Sequence, residues 1–244
     1  MGHRFPRGWA KEQQVYFAIR SSVPITELKL YEDTSLIENT NADSKDVKGL
    51  IGFDSTPALV ALKVGISPVS SKNALANIDS EIPDWDFERV VASARKKWND
   101  ELSRISIETQ NEADKRIFYT SLFHSCVHPS LFNDVNGDYQ GADNRIYTNA
   151  DFNNYTVLSF WDTYRAAHLL YTITQPDRVD DFVNTMLAIY DEQGYLPIWH
   201  LFGYDTKTMV GISSLQVIAE AYLKGYRGFD AGRAFEAIKT TSML

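Results

Sequence analysis

An aromatic ring, a carboxylate and a guanidinium occur close together in the stretch Ser159 to Arg165. If this stretch opens a helix, Trp161 precedes Arg165 by four residues and Asp162 precedes it by three, so their side chains share one face. An aromatic ring can stack on the apolar C–H face of a sugar, and a carboxylate can accept hydrogen bonds from two vicinal hydroxyls. An arginine can hold that carboxylate or donate to a ring oxygen. The stretch is a candidate sugar-binding face, although on these residues alone a capped, salt-bridged helix start is favoured.

A second tryptophan, Trp199, follows Pro197 in a segment predicted to join two helices. Loops held on a rigid scaffold carry a large share of binding residues. Trp199 is therefore a candidate for a sugar subsite.

Residues 130–156 are rich in Asn, Asp and Gly and show little periodicity, which predicts a long loop. Long loops in compact domains tend to be functional. An EF-hand is not predicted, because Tyr139 and Arg145 stand where a calcium loop starting at Asp134 needs Gly and Glu. We expect this loop to form the rim of a sugar pocket with Asp138 or Tyr139 reaching in. The alternative is an ordinary loop built from Asx turns.

Two pairs of acidic residues could suggest acid–base catalysis but fit a structural role better. Asp84 and Asp86 lie at one predicted helix start, and Asp180 and Asp181 lie at another. Carboxylates in a first helical turn face the positive end of the helix dipole. We therefore interpret both pairs as helix-capping residues.

Bulk properties narrow the class of protein. The chain has 244 residues, 44% of them hydrophobic, which supports a folded core of one large or two small domains. The net charge of −8 without a basic cluster disfavours nucleic acid and anionic membrane surfaces as partners. No apolar run is long enough for a membrane span, and the start of the chain lacks the apolar region of a signal peptide. The single cysteine, Cys126, excludes an internal disulfide.

The hydrophobic pattern changes from strand-like to helical near residue 80, which predicts an α+β fold. Four strands are expected before that point, with 59–66 as the central one because it is the most apolar, and 32–48 is expected to be a surface loop. The helices that follow are predicted at 84–104 (capped by Asp84), 112–127, 159–174, 178–192 (capped by Asp177 and ended by Gly194), 212–224 and 231–242.

Seven short motifs occur in one order from about Arg4 to the C-terminus. They are Gly8-Trp9-Ala10 with Gln13-x-Val15-Tyr16-Phe17, Phe118 to His124, Asp134 to Tyr139, Ser159 to Arg165, Leu196-Pro197-x-Trp199, Thr208 to Gly211, and Ala221-Tyr222-x-Lys224-Gly225. Together they make the chain resemble the glycoside hydrolase family 92 α-mannosidases, which are exo-acting and calcium-dependent.

The resemblance implies an architecture and also what is missing from it. Members of that family have a β-sandwich domain followed by an (α/α)6 barrel in a much longer chain. By resemblance, 1–80 is the C-terminal part of the sandwich, 81–110 a linker helix and 111–244 the first half of the barrel. The family's general acid, its general-base aspartates in a Gly-Asn-Asp-Asp stretch and its calcium ligands around a Gly-Asn-Glu-Pro stretch have no match here. No catalytic residue and no metal ligand is therefore assigned, and calcium is expected to bind outside this chain.

The resemblance also implies an activity for the parent protein, which would remove terminal α-linked mannose from glycans by inversion. Within this chain, Trp161, Asp162 and Arg165 are expected to bind the terminal sugar, with Trp199 and Asp138 as further contacts. The chain alone is expected to be inactive and to self-associate, and the parent to be an extracellular or periplasmic bacterial protein. The alternatives are a non-catalytic carbohydrate-binding or structural fragment, or another enzyme of the same architecture such as a disaccharide phosphorylase.

Overall fold

The computed structural model of the protein describes residues 1–6, 8–11, 13–54 and 59–244. It has a mixed α+β fold in which small antiparallel sheets come first and helices follow, as the sequence predicts. The strands that precede the first helix are β1 (Gly2–Arg4), β2 (Val15–Ser21), β3 (Glu27–Glu32), β4 (Ser35–Ile37), β5 (Val47–Gly52) and β6 (Leu62–Ser67).

These strands form two three-stranded sheets, with orders β1-β2-β6 and β4-β3-β5. The prediction of a central strand at 59–66 is wrong, because β6 lies at the edge of its sheet in the described residues and β2 lies in the middle. The apolar residues Leu62, Val64 and Ile66 are exposed, and the alternate residues face inward. The high apolar content of this strand therefore does not mean that both of its faces are buried. The predicted loop at 32–48 contains all of β4 and the start of β5.

Helix α1 (Ser71–Glu81) covers the inner face of the β1-β2-β6 sheet. Its N-cap residue is Ser70, whose hydroxyl accepts a hydrogen bond from the Asn73 N–H at 3.0 Å. Ala74 and Ile78 pack with Ala18 of β2 in a small apolar cluster. Gly65 permits this close approach, because a Cβ there would lie 2.2 Å from the carbonyl oxygen of Ala74.

The remaining elements form the helical part of the chain. They are α2 (Phe87–Leu102), α3 (Glu112–Ser125), β7 (Ser130–Leu131), β8 (Tyr139–Gln140), β9 (Ile146–Tyr147), β10 (Tyr155–Thr156), β11 (Leu158–Ser159), α4 (Phe160–Thr163), α5 (Ala167–Thr174), α6 (Val179–Gln193), β12 (Trp199–His200), α7 (Ser214–Leu223) and α8 (Ala231–Ser242). The predicted loop at 130–156 is thus crossed by two short strand pairs, β7 with β10 and β8 with β9.

Helix ends agree only in part with the prediction. The N-cap of α2 is Asp86, not Asp84, and its carboxylate accepts from the Arg89 N–H at 3.0 Å. Asp177 does not cap α6, and its carboxylate instead pairs with Arg104 at 2.8 Å. Gly194 ends α6 in the left-handed region at φ 88°, as predicted.

The predicted helix at 159–174 is interrupted. Residues 164–166 form a turn between α4 and α5, and Ala166 has a φ of −137°, far from the helical region. The predicted single helix is therefore two short ones, α4 and α5.

The main core surrounds α6. Phe182, Val183, Met186 and Leu187 of this helix are all nearly or fully buried, and they pack against buried residues of α5, α7 and α8. His168 of α5 also lies in this core, with its ring stacked on that of Phe160 at 5.2 Å. Within the described residues, no helix is both long and apolar enough to cross a membrane.

Candidate functional site

The candidate site is built on the two-stranded ribbon of β11 and β12. Leu158 lies opposite His200 in this ribbon, and Ser159 lies opposite Trp199. Residues directly opposite each other point to the same face, and successive residues point to opposite faces. Leu158 and His200 are each 1% exposed, so their face is buried. Ser159 and Trp199 therefore share the outward face.

Asp162 lies on this outward face because Ser159 holds it there. The Ser159 hydroxyl donates a hydrogen bond to the Asp162 carboxylate. The Thr163 hydroxyl donates to the Ser159 carbonyl at 2.7 Å, which ties the start of α4 to the strand end. Asp162 remains exposed, and the neighbouring Trp161 is 46% exposed. The structure thus brings together a carboxylate and a tryptophan, Trp199, that are distant in sequence.

Arg165 does not join Asp162 in the predicted way. Its Nε donates to the Tyr164 hydroxyl at 2.6 Å, and its guanidinium lies 5.2 Å from the centre of the Tyr164 ring. The expected contact of Arg165 with Asp162 is thus replaced by a contact with Tyr164, and α4 itself ends at Thr163. Arg165 is still exposed and close in sequence to the ribbon.

A further tryptophan reaches the ribbon from the N-terminal part of the chain. The ring centres of Trp9 and Trp199 are 6.0 Å apart, and their planes are inclined by 86°. Beside it, the Lys11 ammonium lies 6.0 Å from the centre of the Tyr204 ring. Sequence reasoning did not assign Trp9 to the site, since its only signal was membership of the Gly8-Trp9-Ala10 motif.

Asp138 lies in a different environment from the ribbon. Its carboxylate accepts hydrogen bonds from the side-chain amides of Asn136 at 2.7 Å and Asn73 at 3.0 Å, and from the Asn149 N–H at 3.3 Å. Burial by itself would raise the pKa of Asp138, but these hydrogen bonds outweigh it and lower the pKa. The carboxylate is therefore already occupied by protein donors. Tyr139, the alternative contact, is buried and donates to Glu192 at 2.9 Å.

Asp134 joins the two parts of the chain. This carboxylate is 4% exposed and accepts hydrogen bonds from Ser67 at 2.7 Å, Asn73 at 2.9 Å and Asn77 at 2.7 Å. We call Asp134 with these three partners the Asp134 clamp. Two of its partners are in α1 and one is in β6, whereas Asp134 itself lies between β7 and β8.

The Asp134 clamp does not fit a calcium ion. Its asparagine amides direct N–H groups at the carboxylate, and their oxygens are used elsewhere. The Asn77 oxygen accepts from the Val135 N–H at 3.1 Å, and the Asn73 oxygen accepts from the Ser70 hydroxyl at 2.9 Å. Calcium needs six to eight oxygen ligands. In the part of the chain that the structure describes, no three His, Cys, Asp or Glu side chains cluster as metal ligands.

Two buried side chains of the helical part, Glu192 and His200, have pKa values that burial shifts from their usual range. Burial raises the pKa of Glu192 to about 7, although hydrogen bonds from the Ala142 N–H and the Tyr139 hydroxyl oppose the shift. Burial lowers the pKa of His200 to about 4, with Asp205 opposing it. The Asp205 carboxylate accepts from the backbone N–H groups of Ile198, before β12, and Lys207, after it. Both carboxylates accept hydrogen bonds from backbone N–H groups and so hold loops in place.

The ribbon surface therefore suits binding rather than proton transfer. The Asp162 carboxylate can accept hydrogen bonds from vicinal hydroxyls, while an adjacent indole offers an apolar stacking plate. Small-ligand sites commonly combine aromatic walls with a few placed polar groups.

Comparisons with known proteins identify the family of the chain. A family model described as the glycosyl hydrolase family 92 catalytic domain matches residues 73–243. A family GH92 α-mannosidase from Bacteroides thetaiotaomicron superimposes with a TM-score of 0.89 at 35% identity, covering 97% of this chain and 33% of that one. A family GH92 inverting mannosidase from the same species gives 0.86 at 26% identity, covering 96% and 32%.

A curated relative from Arthroderma benhamiae, described as an uncharacterized secreted glycosidase, is 26% identical over 187 residues, which are 75% of this chain and 20% of the relative. The chain thus spans about a third of the length of the matched structures and about a fifth of the curated relative. The family model nevertheless covers more than half of the chain. The chain belongs to glycosyl hydrolase family 92.

Proposed function

We propose that this chain supplies part of the sugar-binding surface of a glycosidase that removes terminal α-linked mannose from glycans by an inverting, calcium-assisted mechanism. Family membership and the similarity to two mannosidases support the substrate class. The observation that carries the proposal within this chain is the exposed Asp162 carboxylate, which Ser159 holds on the same outward face as Trp199.

Each side chain of this surface has a binding role. Asp162 accepts hydrogen bonds from two neighbouring hydroxyls of the terminal sugar, and Trp161 covers an apolar face of the ring. Arg165 donates to sugar oxygens through guanidinium N–H groups other than the Nε–H, which the Tyr164 hydroxyl accepts. Trp199 adds a second stacking surface. Asp138 contributes by bracing its loop, because protein donors occupy its carboxylate.

The acid and base of the reaction are expected elsewhere. An inverting glycosidase uses a carboxylic acid that protonates the departing oxygen and a carboxylate that activates water on the opposite face, about 6.5–9.5 Å apart. The sequence has no Gly-Asn-Asp-Asp or Gly-Asn-Glu-Pro stretch. Calcium, where it is bound, would contact sugar hydroxyls and favour a distorted ring, and its ligands are expected outside this chain. We infer that this chain by itself is inactive.

The same proposal extends to architecture and location. Residues 1–80 would be the C-terminal part of a β-sandwich, 81–110 a linker, and 111–244 the first half of an (α/α)6 barrel. The similarity to a secreted glycosidase supports an extracellular or periplasmic site of action.

The binding role of Asp162 is tested by titrating the chain with methyl α-D-mannopyranoside and following the tryptophan indole N–H signals by NMR. Asp162→Ala should weaken binding by at least about tenfold, because a hydrogen bond to a charged group contributes roughly 1.5–3 kcal/mol. The matched control is Asp79→Ala, which removes another exposed carboxylate, one paired with Arg20. A large loss of thermal stability with unchanged affinity in Asp162→Ala would make the residue structural.

The inactivity of the chain is tested separately with 4-nitrophenyl α-D-mannopyranoside at high protein concentration, with and without calcium. We expect no release of nitrophenol above a buffer blank. Calcium-dependent turnover would show that this part of the family carries its own acid and base.

A further inference from the structure

Trp9 and Trp199 form an aromatic corner between the two parts of the chain. Their ring centres are 6.0 Å apart and their planes are nearly perpendicular, at 86°. In such an edge-to-face pair, each ring keeps at least one face outside the contact. Trp9 is 62% exposed, so a large part of its indole is open to a ligand.

The position of the corner follows from the strand register. Trp199 lies directly opposite Ser159, and the Ser159 hydroxyl donates to Asp162. From the Asp162 carboxylate across the ribbon, Trp199 is the first ring and Trp9 is one ring further away, whereas Trp161 lies beside Asp162 in α4. A ligand held at Asp162 that continues along this surface would therefore reach Trp9 with its next unit.

Trp9 precedes the first long strand, and its segment lies against the helical part where that part meets the sheet. The Asp134 clamp fixes β6 and α1 against the helical part. Close to Trp9 in sequence, the Lys11 ammonium lies over the Tyr204 ring of the loop that follows β12. This contact and the ring pair with Trp199 place the indole before any ligand arrives, which reduces the entropy lost on binding.

We propose that Trp9 and Trp199 form a second sugar subsite, which holds the sugar residue next to the terminal one. The proposal rests on the proposed function, because it takes Asp162 as the site of the terminal sugar. Two neutral aromatic walls suit the apolar C–H face of a neutral hexose. Trp9 would therefore determine the preference for an oligosaccharide over a single sugar.

The test compares a monosaccharide and a disaccharide on the full 244-residue chain. The probes are methyl α-D-mannopyranoside and a methyl α-mannobioside, titrated into wild type, Trp9→Ala, Trp9→Phe and the control Trp85→Ala. Trp85 is also exposed, at 43%, and packs on the Lys63 ammonium at 4.2 Å. Thermal melting of each variant checks that the fold is retained.

Trp9→Ala should weaken binding of the mannobioside about tenfold and leave binding of the monosaccharide within about twofold, the effect of one lost stacking ring. Trp9→Phe should recover most of the loss, and Trp85→Ala should change neither affinity. An unchanged mannobioside affinity in Trp9→Ala, or an equal loss for both sugars, would overturn the second subsite.

The variant Asp162→Ala separates this failure from failure of the proposed function. If Asp162→Ala weakens both sugars but Trp9→Ala weakens neither, only the second subsite is wrong. If Asp162→Ala weakens neither sugar, the terminal-sugar site is misplaced and both proposals fail. Absence of binding of either sugar to the wild-type chain would likewise contradict both.

Discussion

The N-terminal part of the chain, up to the end of α1, and the helical part around α6 bury their apolar residues differently. Among the described residues, the core around α6 contains 17 buried hydrophobic residues, whereas the core between the β1-β2-β6 sheet and α1 contains three. The outer face of β6 carries Leu62, Val64 and Ile66, which are 52%, 57% and 65% exposed. The helical part therefore supplies most of its own stability, and the sheet depends on contacts beyond its single helix.

The two parts are joined by a buried hydrogen-bonded carboxylate and by one pair of aromatic rings. The Asp134 clamp and the pair of Trp9 with Trp199 connect the N-terminal part, which has the small core, to the helical part, which has the large one. A buried carboxylate with three protein donors is directional, so it fixes the relative position of the two parts as well as their attachment.

The largest expected effect is the loss of a central side chain of the α6 core. Phe182 is 2% exposed and contacts the rings of Tyr155, His168 and Tyr171. Phe182→Ala should lower the free energy of unfolding by about 3–5 kcal/mol, because it removes buried apolar surface and leaves a cavity. Urea unfolding followed by circular dichroism measures it.

The control for Phe182→Ala is Phe235→Ala on α8, where the side chain is 63% exposed. Its effect should stay within about 0.5 kcal/mol, as for most surface substitutions. Equal losses in the two variants would mean that the core is not centred on α6.

The second effect tests the junction. Asp134→Ala should lower the free energy of unfolding by about 2–3 kcal/mol, because buried donors of Ser67, Asn73 and Asn77 lose their acceptor. We also expect the sheet part to unfold before the helical part in this variant, which limited proteolysis would detect. The exposed pair of Asp79 with Arg20 is the matched control, and Asp79→Ala should cost less than about 1 kcal/mol. A single cooperative transition of unchanged midpoint would show that the clamp does not couple the two parts.

Sequence periodicity predicted the helical part well because its helices are amphipathic over several turns. Helix α6 and its end at Gly194 could be read directly from the apolar spacing. The same method failed at β6, where apolar residues lie on an exposed face. Periodicity shows which residues share a face, but not whether another element covers that face.

The candidate site was predictable in its residue types and not in its geometry. Asp162 and Trp199 were chosen for their chemistry, and the structure brings them together through the pairing of Ser159 with Trp199. That pairing joins segments forty residues apart, which no local pattern encodes. The contact of Arg165 with Tyr164 instead of Asp162, and the end of α4 at Thr163, were not predicted either, because tertiary context overrides local helix propensity.

The third effect is a pH dependence that belongs to the helical part. Burial raises the pKa of Glu192 from its usual 4.5 to about 7, so the folded state holds this proton more tightly than the unfolded chain. Its contribution to stability is full below pH 4.5 and is lost as the pH rises through 7. His168 and His200 act in the opposite direction, since burial lowers the pKa of each from 6.5 to about 4. Their contribution is full above pH 6.5 and is lost as the pH falls through 4.

Glu192→Gln isolates the first of these contributions. The melting temperature of the variant relative to wild type should rise by roughly 4–8 °C between pH 5 and pH 8, which corresponds to about 2 kcal/mol. Any fixed cost of the new amide cancels in this difference. Glu88→Gln, at an exposed position in the first turn of α2, should show no such change. A pH-independent difference between Glu192→Gln and wild type would remove Glu192 as the source.

The smallest effect on stability is expected on the bare sheet face, where a substitution should act on association instead. Val64 is 57% exposed on the edge strand β6, so Val64→Lys should change the free energy of unfolding by no more than about 0.5 kcal/mol. An edge strand with an apolar outer face can pair with a second chain, and an edge lysine opposes such pairing. We therefore expect the wild-type chain to self-associate and Val64→Lys to shift it toward the monomer mass of 27.7 kDa in light scattering after size exclusion.

Leu36→Lys places the same charge on the other sheet, at a residue 55% exposed, and should leave association unchanged if the β6 face is responsible. A wild-type chain that elutes as a monodisperse monomer at all concentrations would contradict self-association, and the sheet part would then be stable with one face open to water.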